Sequence, residues 1–129
     1  MIFTQRIKTM SKVLVIDDLP TELQLLSNYV SQGGHQVMTA VSAADALEKI
    51  GTQKPDVIVT DLVMPDMSGL DMCRKLKKDD TTANIPIIAC TTKDGKMDRN
   101  WAIKQGVNIY LTKPCEKADL LEAIKSVAG

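Results

Sequence analysis

The sequence predicts an α/β fold: a five-stranded parallel sheet, doubly wound, with helices on both faces. Three observations predict it. Five short, mainly apolar runs carry β-branched residues and read as strands apolar on both faces. Each run is followed by a segment of helical period. The two kinds of element alternate strictly along the 129 residues, which is the order that right-handed strand-helix-strand crossovers produce.

The first strand is KVLVI (12–16), and the segment 19–32 that follows repeats Leu23, Leu26 and Val30 at spacings of three and four. Leu25 and Tyr29 widen that stripe, and Gly33-Gly34 supplies a stop that tolerates left-handed dihedrals. HQVMTA (35–40) is the second strand and SAADALEKIGTQ (42–53) the second helix. DVIVT (56–60) and SGLDMCRKLKKD (68–79) form the third pair, PIIAC (86–90) and KMDRNWAIKQG (96–106) the fourth. VNIYLT (107–112) is the fifth strand, and the last helix (116–128) buries Leu120, Leu121, Ile124 and Val127. Pro55, Pro86 and Pro114 fall in loops, where a missing N–H costs nothing. Met38, Met64 and Met72 read as core fillers.

One core suffices at this length, because folding buries roughly two-thirds of the unfolded surface. Sixteen basic and sixteen acidic residues cancel, so no global field draws the chain to nucleic acid or to an anionic membrane. Cys73, Cys90 and Cys115 are odd in number and lack CxxC spacing or a histidine cluster, which argues against a disulfide framework or a zinc site. A reducing cytoplasm is the expected compartment. Residues 1–10 lack the apolar stretch of a signal peptide and read as a flexible extension, and no run approaches a membrane span. His35, the only histidine, reads as a loop or strand-edge residue.

Ligands of an open parallel sheet bind beyond the carboxyl ends of its strands. The first strand delivers Asp17 and Asp18 there, the third Asp61, the fourth Thr91 and Thr92, the fifth Lys113. Singly, each reads as a turn former or a solvated charge. Together, three carboxylates are costly: two like charges about 4 Å apart repel by roughly 4 kcal/mol at an effective dielectric of 20. A hard divalent cation among them removes that cost, and magnesium takes such oxygens while sharing its site with a phosphoryl group. One carboxylate can then attack phosphorus, with the hydroxyl and the ammonium holding phosphoryl oxygens.

By VIDD (15–18), TDLVMPDMSG (60–69), ACTTK (89–93) and YLTKP (110–114), the chain resembles the CheY-like receiver domains of two-component response regulators over about residues 11–128. The resemblance implies the flavodoxin-like strand order 2-1-3-4-5. It further implies that Asp61 accepts phosphate from a histidine kinase or phosphotransfer protein. Asp17, Asp18, Asp61 and the backbone carbonyl of Val63 would hold Mg²⁺, and Thr91 and Lys113 would contact the phosphoryl group. In this family a hydroxyl residue and a fifth-strand aromatic carry the switch, which here are Thr91 and Tyr110. The partner surface would then include Lys93, Trp101 and Tyr110. Trp101 itself reads equally well as core or as an interface anchor.

The stretch 91–114, with Thr-Thr-Lys-Asp, a fourth-helix tryptophan and Tyr-Leu-Thr-Lys-Pro, is similar to the stand-alone receivers of the PilG/PilH type in twitching motility and phototaxis. The implied protein is a signalling receiver over 11–129 without an output domain, not an enzyme. Its output would pass to a separate protein of a pilus or motility machinery. Thr92 and Cys115 depart from the family, which favours a small residue and an aromatic at those places. A haloacid-dehalogenase-like phosphatase would need Asp-x-Asp after the first strand, and a flavodoxin a Ser/Thr-rich phosphate loop; DDLPTE (17–22) offers neither.

Overall fold

A computed structural model describes residues 10–128. The expected flexible extension over 1–10 lies, except for Met10, outside the described residues. The chain runs β1 (Lys12–Ile16), α1 (Pro20–Gln32), β2 (Gln36–Ala40), α2 (Ala43–Thr52), β3 (Val57–Thr60), α3 (Gly69–Lys78), β4 (Ile87–Thr91), α4 (Lys96–Lys104), β5 (Ile109–Thr112) and α5 (Lys117–Val127). The five strands form one sheet in the order β2-β1-β3-β4-β5, every pair parallel. Sheet, order and helix number agree with expectation.

Alternation along each strand divides the core in two. Leu14, Ile16, Ile58, Ile87 and Ala89 face α2, α3 and α4 through Ala46, Ile50, Met72, Leu76 and Ala102. Val13, Val15, Val57, Val59 and Ile88 face α1 and α5 through Leu26, Val30, Leu120 and Ile124. Both faces are therefore dry, which is why the strands carry no polar alternation. Met72 and Met64 are in the first of these cores and Met38 packs against it. Leu25 differs from expectation: it is exposed, because Leu26 and Val30 already fill the stripe that α1 turns to the sheet.

The later strands are shifted slightly from their expected bounds. β5 begins at Ile109 because Asn108 stands in for a ladder residue with its side chain: the Ile87 N–H donates to Asn108 Oδ1, while the Asn108 N–H donates to the Ile87 carbonyl. β4 extends through Thr91. His35 is at a strand edge, where its Nδ1 accepts from the Ser11 N–H at 3.1 Å. Among the described residues no helix is long and apolar enough to cross a membrane.

The loop from β3 to α3 returns tightly on itself at Gly69, whose N–H donates to the Leu62 carbonyl. A Cβ at Gly69 would stand 2.6 Å from the Asp61 carbonyl oxygen and 2.7 Å from the Leu62 Cα, both backbone atoms that have no free rotamer to yield. Gly69→Ala is therefore expected to lower stability by about 2 kcal/mol. Urea denaturation checks it, and an unchanged midpoint would contradict the close approach.

Candidate functional site

The carboxyl edge of the sheet gathers the residues that the strand ends deliver. Asp17 and Asp61 each continue a ladder one residue past their strands: the Asp17 N–H donates to the Ala40 carbonyl and the Asp61 N–H to the Ile16 carbonyl. The Thr60 hydroxyl donates to the Asp61 carbonyl at 2.7 Å. Both aspartates are thereby fixed by backbone before their carboxylates meet anything.

Each carboxylate then divides its oxygens between its own loop and one shared cation. Asp17 Oδ1 accepts from the Leu19 N–H at 3.0 Å and so holds the entry to α1, whose first residue is Pro20. Asp61 Oδ1 accepts from the Val63 N–H at 3.1 Å. The remaining oxygens both accept from Lys113: Nζ lies 2.7 Å from Asp17 Oδ2 and 2.9 Å from Asp61 Oδ2. Glu22 Oε1, from the first turn of α1, is 3.7 Å from the same nitrogen. The side chains are enclosed, at 7% exposure for Lys113, 0% for Asp17 and 9% for Asp61.

Burial alone would pull the Lys113 pKa down, but its hydrogen bonds to Asp17 and Asp61 and their charges outweigh that and raise it. Lys113 stays an ammonium ion. Asp17, Asp61 and Glu22 face that one cation, and Asp18 shares a cleft with Glu22 and Asp61 without entering an ion pair among the described residues. The edge keeps a surplus of negative charge and has a use for a second cation. The cleft, of about 440 Å³, is lined by Asp18, Glu22, Asp61, Val63, Thr92 and Lys113, among others, and opens to solvent.

The expected cluster of three carboxylates differs in one respect. Among the described residues no three His, Cys, Asp or Glu side chains are arranged as a metal cage. The Lys113 ammonium stands between Asp17 and Asp61. The oxygen donors nevertheless suit magnesium, which keeps several waters and needs only one or two protein carboxylates.

Thr91 ends β4, adjacent to β3 and β5, and is fully buried; its Oγ1 accepts from the Lys93 N–H at 3.4 Å. Thr92, not Thr91, lines the cleft. Tyr110 packs inward from β5, with the Arg99 guanidinium 5.0 Å from its ring centroid, a cation-π distance. Its hydroxyl donates to the Lys93 carbonyl at 2.6 Å, joining β5 to the loop after β4. Trp101 is 52% exposed and Met97 85%, so α4 turns apolar side chains to solvent beside exposed Lys93. Trp101 is not core.

Two residues of this neighbourhood escaped the sequence reading. Glu22, in the first turn of α1, is one, and it faces Lys113. Asp66 is the other: its carboxylate accepts from the Ala43 and Ala44 N–H groups at 3.3 and 3.0 Å. It ties the loop after Asp61 to the start of α2, and those bonds, Ala44 first, lower its pKa. Ser42 is the N-cap of α2, and a second acceptor for its first-turn N–H groups, supplied from 22 residues away, leaves no local signal.

The response regulator receiver domain family matches residues 13–125. Protein PilH of Pseudomonas aeruginosa is 41% identical over 118 residues, covering 92% of this chain and 98% of PilH. Protein PilG of the same organism is 36% identical over 115 residues, covering 89% of this chain and 85% of PilG. The structure of Vibrio cholerae chemotaxis protein CheY4 superposes with a TM-score of 0.86 at 29% identity, covering 92% of this chain and 98% of that one.

Proposed function

Since the chain belongs to the response regulator receiver domain family, a family of phosphorylation-based signalling domains, we propose that it accepts a phosphoryl group on Asp61. The observation that carries this reading is the Lys113 ammonium held between two buried carboxylates, of which only Asp61 also lines the open cleft. Asp17 is wholly enclosed, so a donor phosphorus reaches Asp61 and not Asp17. Asp18 borders the same cleft, but among the described residues Lys113 pairs with Asp61 and not with Asp18.

The donor is a phosphohistidine of a sensor kinase or phosphotransfer protein, or a small acyl phosphate. An Asp61 carboxylate oxygen bonds to phosphorus as the bond from phosphorus to its leaving group breaks, and an imidazole leaving group takes up a proton from water. Lys113 supplies N–H donors to the phosphoryl oxygens, and the Val63 N–H already points at the Asp61 carboxylate. Thr91 reaches the phosphoryl group by moving out of its buried position, which frees the Lys93 N–H. Asp17, Asp18, Asp61 and the Val63 carbonyl would hold Mg²⁺, which would neutralise phosphoryl charge there.

The switch follows from the same contacts. Lys93 is joined to Thr91 through its N–H and to Tyr110 through its carbonyl, so a displaced Thr91 disturbs both at once. The face that changes carries Lys93, Tyr110 and exposed Trp101, and presents them to a separate output protein. The likeness to PilH, PilG and a chemotaxis protein supports a chemosensory or motility pathway, in the cytoplasm, without direct nucleic-acid binding, membrane insertion or catalysis on other substrates.

Beryllofluoride, a phosphoryl mimic, tests the switch by amide NMR. With Mg²⁺ it is expected to shift Asp61 and Val63 and also Lys93, Trp101 and Tyr110. Shifts confined to the cleft would refute the coupling, and none at all would refute the site.

A further inference from the structure

Two of the three cysteines meet directly beneath the site. Cys90 immediately precedes Thr91 in β4 and is fully buried, while Cys115 follows Lys113 by two residues and is half-buried. The Cys90 thiol donates to Cys115 Sγ at 3.3 Å across 25 residues of sequence. Cys73 is on the other side of the sheet, in the core beneath α2, α3 and α4. The pair is therefore local and separate from the third thiol.

Access and proximity are both in place. Cys115 is only half-buried and borders an open cleft of about 460 Å³ with Arg99, Tyr110, Pro114, Glu116 and Asp119, so a small oxidant can approach this residue from solvent. Cys90 is shielded and meets only a partner already in contact. A disulfide needs the sulfurs at about 2.05 Å, an approach of roughly an ångström that the loop after β5 can supply.

We propose that Cys90 and Cys115 form an oxidative modification site that a peroxide converts to an intramolecular disulfide. The Cys115 sulfur attacks a peroxide oxygen; the O–O bond breaks, and the departing hydroxide takes a proton to leave as water. Cys115 is now a sulfenic acid. The Cys90 sulfur then attacks it, the S–O bond breaks, and a second water leaves with the Cys90 proton. Two thiols are oxidised by two electrons while one peroxide is reduced to two waters. The hydrogen bond from Cys90 lowers the Cys115 pKa against the effect of burial, whereas that bond, and then burial, raise Cys90. The reachable sulfur is thus the one that ionises first.

The crosslink joins the residue before Thr91 to the loop that starts at Lys113. In register, Cys90 pairs with Leu111 and Thr91 with Thr112, so the bond clamps the ends of both strands. Its consequence for signalling rests on Asp61 being the phosphoacceptor: an ångström of displacement at a reacting centre can cost about a hundredfold in rate. Oxidised protein is expected to take phosphate from acetyl phosphate at least about tenfold more slowly than reduced protein.

The full chain, reduced and then treated with hydrogen peroxide, is quenched with N-ethylmaleimide under denaturing conditions for intact mass and peptide mapping. The expected product has lost two hydrogens, keeps one alkylatable thiol at Cys73, joins the Cys90 and Cys115 peptides, and reverts with dithiothreitol. Cys115→Ser, in a half-exposed loop, is expected to remain folded and to abolish the crosslink, and Cys73→Ser to leave it intact. Three alkylated thiols, a sulfinic acid at Cys115 with Cys90 still alkylatable, or a crosslink between two chains would each overturn the proposal. Equal phosphorylation rates before and after oxidation would overturn the regulatory consequence. A reduced chain that takes no phosphate would instead overturn the receiver reading and leave the mass result standing.

Discussion

Lys113→Ala is expected to destabilise the fold by about 3–5 kcal/mol in metal-free buffer, the cost of removing one partner from a buried ion-pair set. Asp17 and Asp61 are held in place by backbone, through Leu19 and Val63, and do not separate when the ammonium is gone. Two enclosed carboxylates then face each other without a cation. The loss has a signature that a simple packing defect lacks. Mg²⁺ is expected to restore part of the stability, because a ligand at a hundred times its dissociation constant adds about 2.7 kcal/mol. Urea denaturation with EDTA, and then with Mg²⁺, measures both effects; a small loss, or one indifferent to Mg²⁺, would contradict the shared-cation geometry. In the wild type the Lys113 pKa is raised in the fold. Its contribution is therefore complete below its unfolded value of ~10.4 and is lost only as the pH rises through the raised one.

Asp61→Asn is expected to abolish phosphorylation while leaving the fold nearly intact. The amide is isosteric, its oxygen can keep the Val63 N–H bond, and Lys113 retains Asp17 at 2.7 Å. What disappears is the carboxylate that attacks phosphorus. With acetyl phosphate and Mg²⁺, intact mass is expected to show one added phosphoryl group on the wild type and none on the variant. Asp17→Asn is expected to slow the reaction without abolishing it, since that residue holds a cation and is out of the donor's reach. Equal labelling of Asp61→Asn and wild type would remove Asp61 from the chemistry.

The strands were legible because burial on both faces leaves VLVI and VIVT with no polar alternation, and the carboxyl-edge rule then assembled Asp17, Asp61, Thr91 and Lys113 without any geometry. Strand order came from the family resemblance alone, since periodicity carries no information about neighbours. The shared ammonium was not legible. β5 is separated from β1 by two strands, and the Lys113 contact with Asp17 spans 96 residues. A sequence shows that like charges need a cation but not that a lysine reaches across the sheet to be one. Asp66 and the Cys90–Cys115 pair were hidden for the same reason: each joins elements whose approach is set by packing. Leu25 shows the reverse error, an apolar residue counted into a stripe that Leu26 and Val30 already complete.

The most direct test of the central claim is to locate the phosphoryl group chemically. Protein treated with acetyl phosphate and Mg²⁺ is reduced with borohydride, which converts an aspartyl phosphate to homoserine, and its peptides are sequenced by mass spectrometry. Homoserine at position 61 and at no other aspartate is the predicted result. Reduction at Asp17 or Asp18, or unreduced Asp61 in protein that carries phosphate, would contradict the assignment of Asp61 as the acceptor.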